Sequence, residues 1–303
     1  MTVTKPAAAA VSIASNTLLI GLKLAAAAIT GSIAILTEAL HSSIDLIASV
    51  VAFVSVRKAD EPADVEHPFG HEKVESVAAA IEGMLILVGA GVIIFEATRR
   101  LASGHAEVES LGVGIAVIAF SALVNAGVAT FLSRQARRHD SPALAGDAAH
   151  LGTDALTSVG VLGGLALVEL TGAVAIDSAV AIAVAVVIVF AGVNILRRSA
   201  GVLVDESPPP DEMDRIEAAI ARARPGEMVG YHKLRARIAG KHRYIEMHVQ
   251  FRSGTTLERA HALAHALRDE IESELKNAEV LIHTEPEASR HDPSDSPEQY
   301  RAG

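Results

Sequence analysis

The sequence contains no cysteine and no tryptophan, and aromatic residues make up only 3% of its 303 positions. Without cysteine there are no disulfides, no thiolate metal ligands and no cysteine nucleophiles. Charge is scarce in the first two-thirds. Residues 1–204 carry 29 charged side chains, whereas residues 205–303 carry 33 in 99 positions. So sharp a change excludes a single soluble globule, and the apolar runs exclude intrinsic disorder. A net charge of −10 with no basic patch argues against a nucleic-acid partner.

What the first part does have is length in its apolar runs. The hydrocarbon core of a bilayer is about 30 Å thick, so a spanning helix needs roughly 20 mostly apolar residues. Six stretches meet that need, at about 8–30, 33–56, 74–98, 110–132, 143–168 and 174–196. They are rich in Ala, Gly and Ser, small residues that let membrane helices pack closely. The first stretch is longer than a signal-peptide core and has only Lys5 before it, so it reads as a retained helix. Six spans put both ends on one side. That side receives nine Lys and Arg residues near the span ends, and the other only Arg99 and Arg100. The bias predicts cytoplasmic termini.

The run Ser207-Pro208-Pro209-Pro210 reads as a stiff linker at the end of a transmembrane domain of residues 1–204. Beyond it the pattern predicts a helix over 211–223, strands over 228–238 and 243–252, a helix over 256–275 and a strand over 278–284. The order αββαβ gives a small cytoplasmic α+β domain over 205–290, followed by a polar, disordered tail at 291–303. The fold class is therefore an all-α six-helix transmembrane bundle followed by a small cytoplasmic α+β domain.

Polar residues inside an apolar span are expensive and suggest function. The second span holds His41-Ser42-Ser43-Ile44-Asp45, and the fifth holds His150-Leu151-Gly152-Thr153-Asp154. Each is His-x-x-x-Asp, whose two ends share one helix face. These are the only histidines within the apolar spans. Two such helices facing each other supply two imidazoles and two carboxylates, a tetrahedral set suited to Zn²⁺. The two Asp charges balance the ion, and protons compete with it for the same ligands. Interhelical hydrogen bonding is the competing reading. Asp147, one turn before His150, is a candidate to orient that ring or relay protons. Glu38, Glu82 and Glu96 read as partners of Lys23 or as groups near water, and Asn125 as packing glue. In the loop after the second span, Asp64, His67 and His71 place one carboxylate and two imidazoles at short spacing, a second candidate metal site.

With these motifs the sequence resembles the cation diffusion facilitator family of metal/proton antiporters, over about 280 residues. His41, Asp45, His150 and Asp154 match the family's transport site. The run Asp64-Val65-Glu66-His67-Pro68-Phe69-Gly70-His71-Glu72-Lys73 matches the stretch after its second span, where members carry a further metal site. The resemblance implies a homodimer exporting divalent metal in exchange for protons. It also implies a cytoplasmic metal site at His232, His248, His261, His283 and Glu285, where metal bridges two subunits. Two departures stand out: Lys233 follows His232 where an acidic residue is expected, and Glu285 replaces Asp. His242, His265 and His291 read as surface residues.

Imidazole at position 41 favours Zn²⁺, with Co²⁺ next, over larger Cd²⁺ or oxygen-loving Mn²⁺; Fe²⁺ and Ni²⁺ also accept two nitrogens and two oxygens. Zn²⁺ is expected as substrate and as a structural or regulatory ligand, with no other cofactor. An intramembrane metallohydrolase is disfavoured, because there is no His-Glu-x-x-His and four ligands leave no open position. A metal-sensing receptor without flux is the remaining alternative. The compact chain, without a long His-rich loop, points to a bacterial inner membrane, in contact with lipid, metal and protons.

Overall fold

A computed structural model describes residues 3–31, 33–103, 112–171 and 175–287. The chain divides into two compact units, Met1–Leu203 and Val204–Gly303. Six helices build the first: α1 (Lys5–Thr30), α2 (Ile33–Ala59), α3 (Lys73–Ser103), α4 (Gly112–His139), α5 (Pro142–Thr171) and α6 (Ala175–Leu203). All six are long and apolar enough to cross a membrane. The chain is an integral membrane protein.

Local chemistry sets the helix ends. Thr4 caps α1 by accepting from the Ala7 N–H, and Pro6 occupies the first turn, where no backbone donor is needed. Gly31 ends α1 at φ 69° and returns its N–H to Ala27. The helices run past the apolar stretches that predict them. α2 continues through Arg57 and Lys58, and α4 through Arg137, Arg138 and His139. Hydropathy sees only the lipid-facing length, whereas cations in a last turn favour the helix by meeting its free carbonyls.

Close approach holds the bundle together. α3 packs against α6, where a Cβ at Gly192 would sit 2.9 Å from the Leu87 Cγ. Lys5 ties several helix ends, with its ammonium 2.6 Å from Asp60 and 2.8 Å from Glu75. The Ser141 hydroxyl donates to the same Glu75 from the start of α5.

The second unit contains α7 (Pro210–Ala223), β1 (Met228–Ala239), β2 (His242–Phe251), α8 (Leu257–Glu274) and β3 (Ala278–Pro286). The sheet order is β1-β2-β3, with β1 antiparallel and β3 parallel to β2. Thr256 caps α8. Both helices close over one sheet face, burying Ile216, Ile220, Ile245, Met247, Leu267 and Ile271 in a single core. Ile271 is fully buried there. Ile271→Ala is expected to destabilise this unit by about 2–5 kcal/mol, read from chemical denaturation.

The fold matches the expected six-helix bundle and αββαβ order. The expected span starts at 110 and 174, the tail at 291–303, and His291 lie outside the described residues.

Candidate metal centre

α2 and α5 pack against each other, and their His-x-x-x-Asp faces meet. The His150 Nε2 is 3.2 Å from the Asp45 Oδ1 and 3.9 Å from the Asp154 Oδ2. The His41 Nε2 is 3.8 Å from the Asp45 Oδ1. His41, Asp45 and Asp154 each offer an atom within 4.8 Å of the others. A tetrahedral ion with bonds of about 2 Å separates its ligand atoms by about 3.3 Å, so the spacing is already close to a coordination shell. Asp45 and His150 are buried, whereas the His41 side chain is 56% exposed.

Lys23, also buried, reaches from α1 to the same turn of α2. Its ammonium is 3.0 Å from Glu38 and 2.8 Å from the Ser42 hydroxyl. Of Glu38, Glu82 and Glu96, read as partners of Lys23 or as groups near water, Glu38 is the one that pairs with it. Glu96 pairs instead with Arg100, one turn along α3, at 3.0 Å. Glu82 is fully buried, and among the described residues neither carboxylate oxygen has a hydrogen-bond partner. Asp147 is held by the hydroxyls of Ser12 and Ser49, at 3.0 and 3.2 Å from its Oδ1. Asn16 donates to Ser49 at 2.9 Å. This network joins α1, α2 and α5. Ser12 and Asn16, one turn apart in an apolar helix, were the readable sign of it. Asn125 is buried in α4 with its carbonyl oxygen unpartnered.

The loop between α2 and α3 brings its three candidates together. Asp64 accepts from the backbone N–H groups of Glu66 and His67 at 2.9 and 2.7 Å, a turn that fixes its carboxylate. The His71 Nε2 is 3.3 Å from the other oxygen, and the two imidazoles are 4.4 Å apart. His71 is buried, and its Nδ1 has no hydrogen-bond partner among the described residues. The His67 N–H is the main cause holding the Asp64 carboxyl below its usual range, helped by the nearby imidazoles against a smaller opposing effect of desolvation.

In the second unit the sheet register aligns three histidines in one row. His232 pairs with His248 across β1 and β2, and His248 pairs with His283 across β2 and β3. Neighbouring rings are 5.1 and 4.6 Å apart. Glu285, two residues along β3, turns to the same face. Its carboxylate is 2.7 Å from the His248 Nδ1, 3.5 Å from the His232 Nε2 and 3.7 Å from the His283 Nε2. His232, His248 and Glu285 form a compact trio, with His283 at its exposed edge.

His261 does not join this group within one chain. It sits exposed on α8, its ring 4.2 Å from that of His265 one turn on, because the helix periodicity pairs those two instead. Lys233 lies in a bulge of β1 at φ 51°, which breaks the alternation after His232.

Burial alone would raise the Glu285 carboxyl. The His248 hydrogen bond and the three imidazoles outweigh it and hold the group below its ordinary value. A depressed carboxyl stabilises the fold above its unfolded value of about 4.3 and loses that contribution as pH falls through the folded value. In chelator, Glu285→Gln is therefore expected to be less stable than wild type at pH 7. The deficit should narrow below about pH 4.3 in pH-resolved melts.

Two family models cover nearly the whole described chain. The cation efflux transmembrane domain matches residues 9–204, and the cation efflux protein cytoplasmic domain matches residues 208–287. An uncharacterized transporter of Synechocystis is 36% identical over 279 residues, covering 92% of this chain and 89% of that protein. The cation-efflux pump FieF of Yersinia pestis is 33% identical over 259 residues, covering 85% of this chain and 84% of its own. A solved structure of CzrB in its zinc form is 33% identical and covers 29% of this chain and 99% of that one, with a TM-score of 0.27. The chain belongs to the cation diffusion facilitator family of cation efflux transporters, and it is a transporter rather than an enzyme.

Proposed function

We propose that this protein exports a divalent metal ion, Zn²⁺ foremost, from the cytoplasm in exchange for protons. The observation that carries the reading is the meeting of α2 and α5, where His41, Asp45 and Asp154 offer atoms within 4.8 Å of one another and the His150 Nε2 lies 3.2 Å from Asp45 and 3.9 Å from Asp154. Two carboxylates neutralise a doubly charged ion in surroundings that penalise uncompensated charge. Protons compete for the same atoms, because each ligand binds metal only in its deprotonated form. Metal enters from the cytoplasm, the bundle rocks, and protons displace the ion outward.

The cytoplasmic domain belongs to a family model named for dimers, which supports a homodimer. Metal at His232, His248, His283 and Glu285, completed by His261 from a second subunit, stabilises that dimer by mass action. The loop site at Asp64, His67 and His71 biases the conformation. The excess of Lys and Arg on one side of the spans supports cytoplasmic termini, in what we read as a bacterial inner membrane.

The test is Zn²⁺ uptake into vesicles loaded with protons. Zinc movement tied to the proton gradient, and absent in His150→Ala, is expected. Binding without movement would replace transport by sensing, and cobalt or iron moving while zinc does not would replace the substrate.

A further inference from the structure

Glu82 is an acid that the four transport ligands leave unused. It sits in the middle of α3, 0% exposed, and among the described residues neither carboxylate oxygen has a hydrogen-bond partner. Buried polar groups are almost always paired, so two bare oxygens on one side chain call for an explanation. Its carboxylate packs onto α5 at Gly146, where any Cβ would collide with it. The next residue, Asp147, is also 0% exposed. Asp147 has one oxygen filled by the Ser12 and Ser49 hydroxyls, but its Oδ2 is bare. Three acceptor oxygens on two neighbouring acids thus have no donor.

A metal ion is a poor answer here. A Cβ at Gly146 would also lie 3.2 Å from the Ala79 Cα, so the two helices are in backbone contact and leave little space. A proton needs none. Held by one carboxyl, it removes one of two buried charges. We propose that Glu82 and Asp147 share one exchangeable proton, forming a proton site separate from the four metal ligands, and that loading the transport site expels it.

The placement links the two sites. Asp147 is one turn before His150 and two turns before Asp154 on α5, and Ser49 is one turn after Asp45 on α2. A doubly charged ion arriving there favours an ionised pair, so one proton leaves to water as one metal ion binds. His150 follows Asp147 one turn on along α5. Among the described residues, Ser12 from α1 and Ser49 from α2 donate to Asp147, and Asn16 donates to Ser49. Beside Glu82, α6 turns Gly192, Ile195 and Leu196 towards Gly83. Two turns earlier on α3, Glu75 is already bonded to Lys5.

This inference rests on the antiport reading, and the test separates them. Zn²⁺ is titrated into the purified full-length protein in buffers of different ionisation enthalpy, which gives protons released per ion bound. The loop and cytoplasmic ligands contribute equally in wild type and variants, so the difference isolates the pair. Glu82→Gln is expected to bind Zn²⁺ and release one proton fewer per transport-site ion, and Glu82→Asp to retain the release. Asp147→Asn serves as the second variant, with the same loss expected. An unchanged count in Glu82→Gln or in Asp147→Asn overturns the shared proton while leaving antiport standing. A wild type that binds Zn²⁺ with no proton release overturns both.

Discussion

Asp45→Ala and Asp154→Ala are each expected to reduce zinc transport to the background of empty vesicles, a loss of at least about 100-fold. Asp45 lies between the imidazoles of His41 and His150, at 3.8 and 3.2 Å, so removing it takes away a ligand and half of the countercharge. The ion then carries an unbalanced charge in a buried site, and truncating one partner of a buried charge pair is among the costliest changes a protein can suffer. His283→Ala should behave differently. His283 is 63% exposed at the edge of the cytoplasmic trio, which keeps His232, His248 and Glu285. Its loss should weaken transport or shift its metal response without ending it. Initial rates in proton-loaded vesicles, at matched protein content, check both. Equal and total loss from all three variants would contradict the division between transport and regulation.

The second large effect concerns selectivity. His41→Asp turns a site with two nitrogens and two oxygens into one with a single nitrogen and three oxygens. Oxygen-rich sets suit Mn²⁺ and larger ions better than Zn²⁺. The ratio of Mn²⁺ or Cd²⁺ transport to Zn²⁺ transport should rise about 10-fold or more, an amount equal to roughly 1.4 kcal/mol of relative stabilisation. Because the His41 side chain is more than half exposed, the substitution opens no cavity in the bundle. A change in selectivity therefore reports on ligand chemistry rather than on packing. Competition between the metals in one vesicle assay measures it, and an unchanged ratio would remove His41 from the ligand set.

Much of this architecture can be read from residue order, and the reasons are specific. Apolar length marks all six helices, because the bilayer imposes a minimum run. The His-x-x-x-Asp pairs stand out because helical periodicity alone puts both members on one face. The four come together only through the packing of α2 on α5, which no local pattern encodes. The cytoplasmic row was harder still. Strand periodicity can place His232, His248 and His283 on strands, but their alignment depends on register, including a bulge at Lys233 that alternation does not reveal. His261 was grouped with them from family likeness, and within one chain its helix pairs it with His265 instead. Glu82 read as a bystander because composition cannot tell a solvated acid from one sealed between α3 and α5.

The histidine row also has a bearing on how the second unit comes to exist. Its members are contributed by chain segments far apart in order, and the last of them sits on β3, which joins β2 in parallel only after α8 has been laid down. A growing chain therefore owns no complete cage until its final strand docks. If that row binds metal as proposed, an ion captured there would reward only finished copies, and metal supply would act on the newborn protein as quality control, pulling correctly closed domains out of the pool of partly folded ones.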